Sequence, residues 1–175
     1  MTIELTTVTT QEDIAVVAAL AQEIWEQHFT PIIGASQVEY MLGKFQSFDA
    51  ITSQIETGCE YYLAKIKNEA VGYTGLIPEN ENKRLMLSKI YVKASARQKG
   101  VGQFILNFIE HKCVNDDLNK IWLTVNRFNT NPIVWYENRG FVKVNEVKKD
   151  IGAGYFMDDF IMEKSISSRQ SDNGV

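Results

Sequence analysis

The run Arg97-Gln98-Lys99-Gly100-Val101-Gly102 stands between an apolar, strand-like stretch at residues 87–92 and a helical stretch at 103–114. Strand, glycine turn and helix in that order begin a crossover to a neighbouring parallel strand, which confines the chain to a sheet with helical cover. Glycines allow close backbone approach and turn angles that side chains forbid, so successive N–H groups can converge on phosphate oxygens. The first turn of the helix adds unpaired donors and a partial positive charge, and Arg97 and Lys99 add full charges. The segment therefore reads as a pyrophosphate cradle. It lacks the Gly-Lys-Ser/Thr ending of the triphosphate loop and the third glycine of the dinucleotide fingerprint. A plain strand-to-helix turn, with Gly100 and Gly102 relieving crowding, is the competing reading of this segment alone.

Apolar spacing supplies the rest of the pattern. Residues 3–8 alternate as a strand, and Thr10-Gln-Glu-Asp13 is a capping box. The helix that follows aligns Ile14, Val17, Ala18, Ala21, Ile24, Trp25 and His28 on one face, with Pro31 near its end. A second box, Ser36 to Glu39, opens a helix burying Val38, Met41, Leu42 and Phe45, and a shorter helical piece runs from Asp49 to Gly58. Residues 61–66 and 70–77 read as a hairpin, and 84–92 as a third strand. The helix after the glycine loop buries Val101, Phe104, Ile105, Phe108 and Cys113. Residues 121–125 form a central strand parallel to the one before the loop, 131–139 a short helix ended by Gly140, and 141–147 with 155–164 a closing antiparallel pair. Residues 1–164 are expected to form one domain, and 165–175, with almost nothing apolar to bury, a disordered tail.

A chain of 175 residues with 45% hydrophobic content is long enough to enclose a core. The net charge of −4, with no dense Lys/Arg block, argues against nucleic acid and favours a small cationic substrate. Cys59 and Cys113 read as reduced, buried thiols, and no metal-ligand cluster is apparent. The N-terminus is unlike a signal peptide and no apolar run approaches the ~18 residues that span a bilayer, so no membrane partner and a cytoplasmic location are expected. A homodimer is compatible with the sequence.

Three ordered segments together resemble the GNAT N-acetyltransferases: the strand at 87–92, the loop at 97–102, and Asn131-Pro-Ile-Val-Trp-Tyr136-Glu-Asn-Arg-Gly140-Phe141. The ending Met157-Asp-Asp-Phe-Ile-Met-Glu-Lys164 also resembles that of bacterial polyamine (spermidine/spermine-type) acetyltransferases. The resemblance implies an α+β fold with a mixed, largely antiparallel, splayed sheet of about seven strands and helices on both faces, in the order β-α-α-β-β-β-α-β-α-β-β. It implies acetyl-CoA as cosubstrate. Arg97, Gln98, Lys99, Gly100, Val101 and Gly102 would hold its pyrophosphate, and the backbone of Ile90, Tyr91 and Val92 would pair with its pantetheine arm. Asn131 would also contact the coenzyme. A bulge in the strand before the loop would free the Val92 N–H for the thioester carbonyl, an interaction typically worth ~3 kcal/mol.

Tyr136 matches the family's general acid. A phenol of pKa about 10 is protonated at neutral pH and can donate to a departing thiolate. As a core aromatic it would bond only through its hydroxyl. No glutamate stands on the strand before the loop, where Leu87, Ser88 and Lys89 occur instead. The base is therefore open. Ser88 could hold a water, Glu23 or Glu26 could assist from the first helix, and His28 offers an imidazole, a side-chain type whose reference pKa of about 6.5 suits a base; each is equally a satisfied structural or solvated residue. Glu26, His28 and Ser88 are the acceptor-side candidates. Of Asp158 and Asp159, which alternate across a strand, only one can face the site. The expected reaction is direct acetyl transfer to the primary amine of a small molecule, a polyamine being one candidate. A protein N-terminal or lysine acceptor is the alternative, and a non-catalytic acetyl-CoA-binding module a further one.

Overall fold

The expected capping box forms. Thr10 Oγ1 accepts from the Asp13 N–H at 3.1 Å and Asp13 Oδ2 accepts from the Thr10 N–H at 3.2 Å, starting α1 (Gln11–Ile33) directly after β1 (Ile3–Thr7). Pro31 does not end this helix. It lies inside the last turn, and the terminator is Gly34, whose φ of +86° favours glycine and whose N–H bonds Thr30 O at 3.0 Å. Gly34 is then the N-cap of α2 (Ala35–Met41), so Ser36 falls within its first turn and the box expected from Ser36 to Glu39 is not made. A π-helical turn, Leu42–Gln46, links α2 to α3 (Phe48–Glu56), capped by Ser47 Oγ.

The computed structural model describes residues 1–167. The strands β2 (Glu60–Ile66), β3 (Glu69–Glu79), β4 (Arg84–Val92), β5 (Lys120–Asn126), β6 (Val142–Gly152) and β7 (Tyr155–Ser165) join β1 in one sheet, ordered β1-β2-β3-β4-β5-β7-β6. Helix α4 (Val101–Asn115) makes the crossover from β4 to β5, and α5 (Thr130–Glu137) the return towards β6. Lys67 and Asn68, at φ +50° and +65°, close the β2–β3 hairpin in the tight turn whose twist suits it. Every strand contact is antiparallel except β4 with β5, which pair over only Arg84–Lys120, Leu85–Ile121 and Met86–Trp122. Beyond Met86 the two strands separate, and the sheet is splayed.

A bulge sets the second half of β4. Gly75 opposes Lys89 while Leu76 opposes Leu87, leaving Ser88 as the extra residue. The extra residue reverses the face of everything after it. Leu85 and Leu87 lie in the core beneath α4, with Ile105, Leu106, Ile109 and Ile121, and after the bulge it is Ile90 and Val92 that pack there. Lys89 and Tyr91 turn to the other core, built from Val17, Ile24, Trp25, Tyr61 and Tyr73 under α1 to α3.

Two further expectations change. Phe104 is 39% exposed, because the buried stripe of α4 runs Val101, Ile105, Ile109 with Leu106 and Cys113 beside it. Residues 165 and 166, expected in a disordered tail, are ordered: Ser165 pairs with Lys120, and Ile166 donates to Asn119 O at 2.8 Å and packs on the core. The remainder of that expectation, from residue 168, lies outside the described residues.

At Gly72 a Cβ would stand 2.8 Å from the Tyr91 carbonyl oxygen. Gly72→Ala is therefore expected to destabilise the fold by about 1–3 kcal/mol through displacement of β3 from β4. A urea midpoint equal to wild type would contradict that close approach.

Candidate active site

The glycine loop leaves several amides without internal partners. After the 3₁₀ turn Ala94–Ala96, Gln98 and Gly100 take left-handed φ values of +64° and +80°, and Gly100 caps α4 with no side-chain hydrogen bond. The first helical bond is Phe104 N–H to Gly100 O at 2.9 Å, so the N–H groups of residues 101–103 have no helical acceptor. Gly102 serves packing as well: a Cβ there would sit 3.1 Å from Trp135 Cζ2. These residues border a cavity of about 710 Å³. Arg97, Gln98 and Asn131 line it, Lys99 does not.

Arg139, not singled out in the sequence, joins this wall. Its guanidinium lies 3.8 Å from the centre of the Trp135 ring and donates to Gln103 Oε1 at 2.7 Å. Its place beside Gly140 in the third motif was the available signal.

The edge of β4 faces the same cavity. Lys93 N–H bonds Val71 O at 2.8 Å, which sets the phase of the antiparallel ladder. By alternation, the backbone groups of Tyr91 point to β3, whereas those of Ile90 and Val92 point into the gap left by β5. Val92 O accepts from Arg97 Nε at 3.3 Å, on that open side. Of the three residues expected to present backbone groups, Ile90 and Val92 therefore do so, and Tyr91 contributes its side chain elsewhere.

A second cavity, of about 270 Å³, lies across the gap from the first. Trp25, Phe29, Met41 and Phe45 wall it from the helices, and Phe156 and Met157 from β7. Ile90, Tyr91, Pro132 and Tyr136 border both cavities, so the two meet at the open edge of β4. Tyr136 is buried between Trp135 and Phe141, each 5.3 Å away centre to centre. Its hydroxyl makes no hydrogen bond to another described residue, and burial pushes its pKa above the ordinary phenol range, keeping it protonated. Burial raises the Tyr91 hydroxyl too, with the neighbouring Tyr136 and Asp159 adding to the effect.

The charges of the smaller cavity are few. Asp159 is the only carboxylate among its lining residues, and Lys89 and Lys149 the only cations. Lys89 is 7% exposed and uses its three donors on Phe45 O, Gln54 Oε1 and the Tyr61 hydroxyl, tying the π-helical turn to the bulge. Burial lowers its pKa to about 7. Asp159 is 4% exposed, and burial raises its pKa to about 6; Asp158 adds to the rise, while the Thr124 hydroxyl and Arg127 oppose it. Asp158 faces away and pairs with Arg127 Nε at 2.8 Å. The strand alternation thus turns Asp159 inwards.

Not all candidates converge. Glu26 is exposed on α1 and accepts from Gln22 Nε2 at 3.1 Å, bordering neither cavity. Glu23 pairs with Lys93 at 3.6 Å. His28, expected on the acceptor side, borders the larger cavity and hydrogen-bonds Asn129 Oδ1 through Nε2 at 2.8 Å. One helical turn separates it from Trp25, enough to place them on opposite sides of the gap. Ser88 alone of that set borders the smaller cavity.

A strand edge with free amides, a glycine loop opening a helix, and a second cavity across a splayed sheet define an acyl-coenzyme A–dependent transferase. Residues 18–141 match the family model described as the acetyltransferase (GNAT) family. The chain belongs to that family, as an N-acetyltransferase with acetyl-CoA as cosubstrate. It is 24% identical over 163 residues to an uncharacterized N-acetyltransferase in the pepI 3′ region of Lactobacillus delbrueckii subsp. lactis, covering 89% of this chain and 94% of that one. The crystal structure of PaiA N-acetyltransferase from Thermoplasma acidophilum in complex with coenzyme A superposes with a TM-score of 0.78, at 22% identity over 94% of this chain and 99% of that one. A chimera of the spermidine N-acetyltransferase SpeG from Vibrio cholerae with hSSAT gives 0.70 at 17% identity, over 94% and 96%. These likenesses establish the GNAT fold. Among the described residues no helix is long and apolar enough to cross a membrane.

The Asp159 carboxyl titrates higher in the folded chain than in the unfolded one. The folded state therefore holds more protons between about pH 4 and 6, and stability falls as pH rises through that window. Asp159→Asn is expected to raise stability at pH 7.5 by about 3 kcal/mol, the gain shrinking towards zero near pH 4. Urea titrations at the two pH values check this, and a destabilised variant at pH 7.5 would oppose it.

Proposed function

We propose that this enzyme transfers the acetyl group of acetyl-CoA directly to the primary amine of a small molecule, across the edge of β4. The observation that carries the reading is the meeting of the two cavities at Ile90, Tyr91, Pro132 and Tyr136. The larger suits the coenzyme: unpaired amides at residues 101–103, Arg97 and Arg139 meet its phosphates, and Ile90 and Val92 offer an added-strand edge to its pantetheine arm. Val101 and Gly102 act there through backbone amides, Gln98 through the turn it forms, and Asn131 from the start of α5. Lys99 is left as a general electrostatic contributor.

The Val92 N–H is the donor for the oxygen that becomes negative when nitrogen adds to the thioester carbon. Tyr136 is the proton donor to the departing sulfur, and its burial suits the role because the phenol is fully protonated at working pH. The smaller cavity holds the acceptor. Its volume of about 270 Å³ is at the lower end of small-molecule sites, which favours a small amine over a folded protein surface.

Purified protein, acetyl-CoA and a panel of amines and short peptides, followed by release of free thiol, tests the reading. Turnover is expected on small amines, and turnover confined to peptides would overturn that acceptor class. Tyr136→Phe should lower kcat by about 10²-fold or more while coenzyme affinity by calorimetry stays within about twofold. An unchanged kcat would remove Tyr136 from the proton-donor role.

A further inference from the structure

Asp159 is a carboxylate with no cation of its own. It is 4% exposed, and among the described residues it makes no ion pair. The nearest arginine, Arg127, is already engaged by Asp158 at 2.8 Å and Glu146 at 3.3 Å. The two lysines that border the same cavity are no better placed: Lys89 has its three donors occupied, and Lys149 is exposed on β6. A buried charge left unpaired is costly, and such groups concentrate where a ligand completes them. Asp159 lies on β7 opposite Asn126 of β5, borders the cavity with Thr124, and stands close enough to the Tyr91 hydroxyl to perturb it, as Tyr136 also does. It is thus beside the point where the two cavities meet.

We propose that Asp159 receives the acceptor amine as its ammonium ion and takes its first proton, and that the acceptor is a monoamine with an apolar, aromatic-sized body. The inference rests on the acetyl-transfer reading above. Six of the other lining residues, Trp25, Phe29, Met41, Phe45, Phe156 and Met157, form an apolar wall that suits a ring or hydrocarbon chain, while the amides of Gln37, Gln46, Gln54, Asn126 and Asn129 also line it, without charge. A polyamine would bring a second and third ammonium into a cavity with no further carboxylate and two lysines. Repulsion from Lys149, joined by Lys89 below about pH 7 where it is charged, disfavours it.

The proton balance closes with these groups. The ammonium gives one proton to Asp159, which passes it to solvent. The nitrogen lone pair then forms the C–N bond, and the carbonyl π electrons move to the oxygen held by the Val92 N–H. As the C–S bond breaks, the thiolate takes the Tyr136 proton, and the second proton of the nitrogen restores Tyr136. The products are the acetamide, the free thiol and one released proton.

The titratable groups around Asp159 are Lys89 and Tyr91 of β4, Tyr136 of α5, Lys149 of β6, and Asp158 with Arg127. Both tyrosines stay protonated and Arg127 stays charged across the working range, so Asp159, at about 6, and Lys89, at about 7, are the groups that change charge there, and the Asp159→Asn profile separates the two.

The test measures kcat/KM of the full chain for 2-phenylethylamine, tryptamine, putrescine and spermidine from pH 5.5 to 9.5. Wild type should prefer the aryl monoamines to spermidine by about tenfold or more, and show a plateau above about pH 7 because the abundant ammonium form is the one bound. Asp159→Asn should lower kcat/KM by about 10²–10⁴-fold and replace the plateau by a rise towards the pKa of the amine, since only the neutral amine then reacts. Asp159→Glu should recover part of the plateau. Coenzyme A affinity by calorimetry should stay within about twofold in both, which separates this role from a fold defect. Wild-type turnover with an unaltered profile in Asp159→Asn would overturn the role of Asp159, and preference for spermidine would overturn the monoamine class. If no amine is acetylated, the transfer reading fails; calorimetry of 2-phenylethylamine with coenzyme A present still decides the ammonium site, through binding to wild type and at least tenfold weaker binding to Asp159→Asn, or equal affinity against it.

Discussion

Three residue pairs hold the two halves of the sheet together where it matters. Strands β4 and β5 share a ladder only from Arg84–Lys120 to Met86–Trp122 before they diverge, and along the open edge of β4 that results backbone donors face a cavity instead of a neighbouring strand. A fully paired parallel strand would occupy the Ile90 and Val92 amides and bury them, leaving nothing for a ligand to bond. The bulge at Ser88 completes the arrangement. By adding one residue it sends Leu85 and Leu87 to the same core as Ile90 and Val92, and directs Lys89 and Tyr91 to the opposite one. The two cavities lie on either side of this edge, and Tyr136 reaches both.

The smaller cavity carries two buried titratable groups that the fold treats in opposite ways. Lys89, buried with its three hydrogen bonds, fixes the π-helical turn against β4 and forms the rigid floor of the cavity. Asp159 is the opposite case, a buried carboxylate that the fold does not pair. Folding tolerates it because Asp159 is held on both sides by strands: β5 pairs with β7 from Lys120–Ser165 to Asn126–Asp159, and β6 places Val147 opposite Asp159. An unpaired buried carboxylate held in place by its strand neighbours is consistent with the cation role proposed for it.

Much of the architecture was legible in the order of residues, for local reasons. Helix starts carry chemical signatures, as at Thr10 and Asp13, and the glycine loop with its flanking strand and helix is contiguous in sequence. Local reasoning failed where a neighbour decides. Pro31 was tolerated in the last turn of α1, with the stop supplied by Gly34, and Phe104 was displaced from the buried face by Leu106 and Ile109. His28 and Glu26 share a helix with Trp25, yet a rotation about the helix axis of one residue or three separates a cavity wall from solvent or from the other cavity.

The sequence by itself pointed to the family and to acetyl-CoA, and it set the glycine loop and Tyr136 in contiguous motifs whose spacing follows from one strand, one turn and one helix. Only the tertiary structure decided which of Asp158 and Asp159 faces inwards, that Arg139 joins the wall of the larger cavity, and that His28 borders that cavity as well. The smaller cavity draws on α1, the π-helical turn, β4, β5 and β7, elements distant in sequence, and its charge follows from burial and from which partners are already taken. Those are properties of packing. No order of residues along the chain expresses them until the sheet has formed.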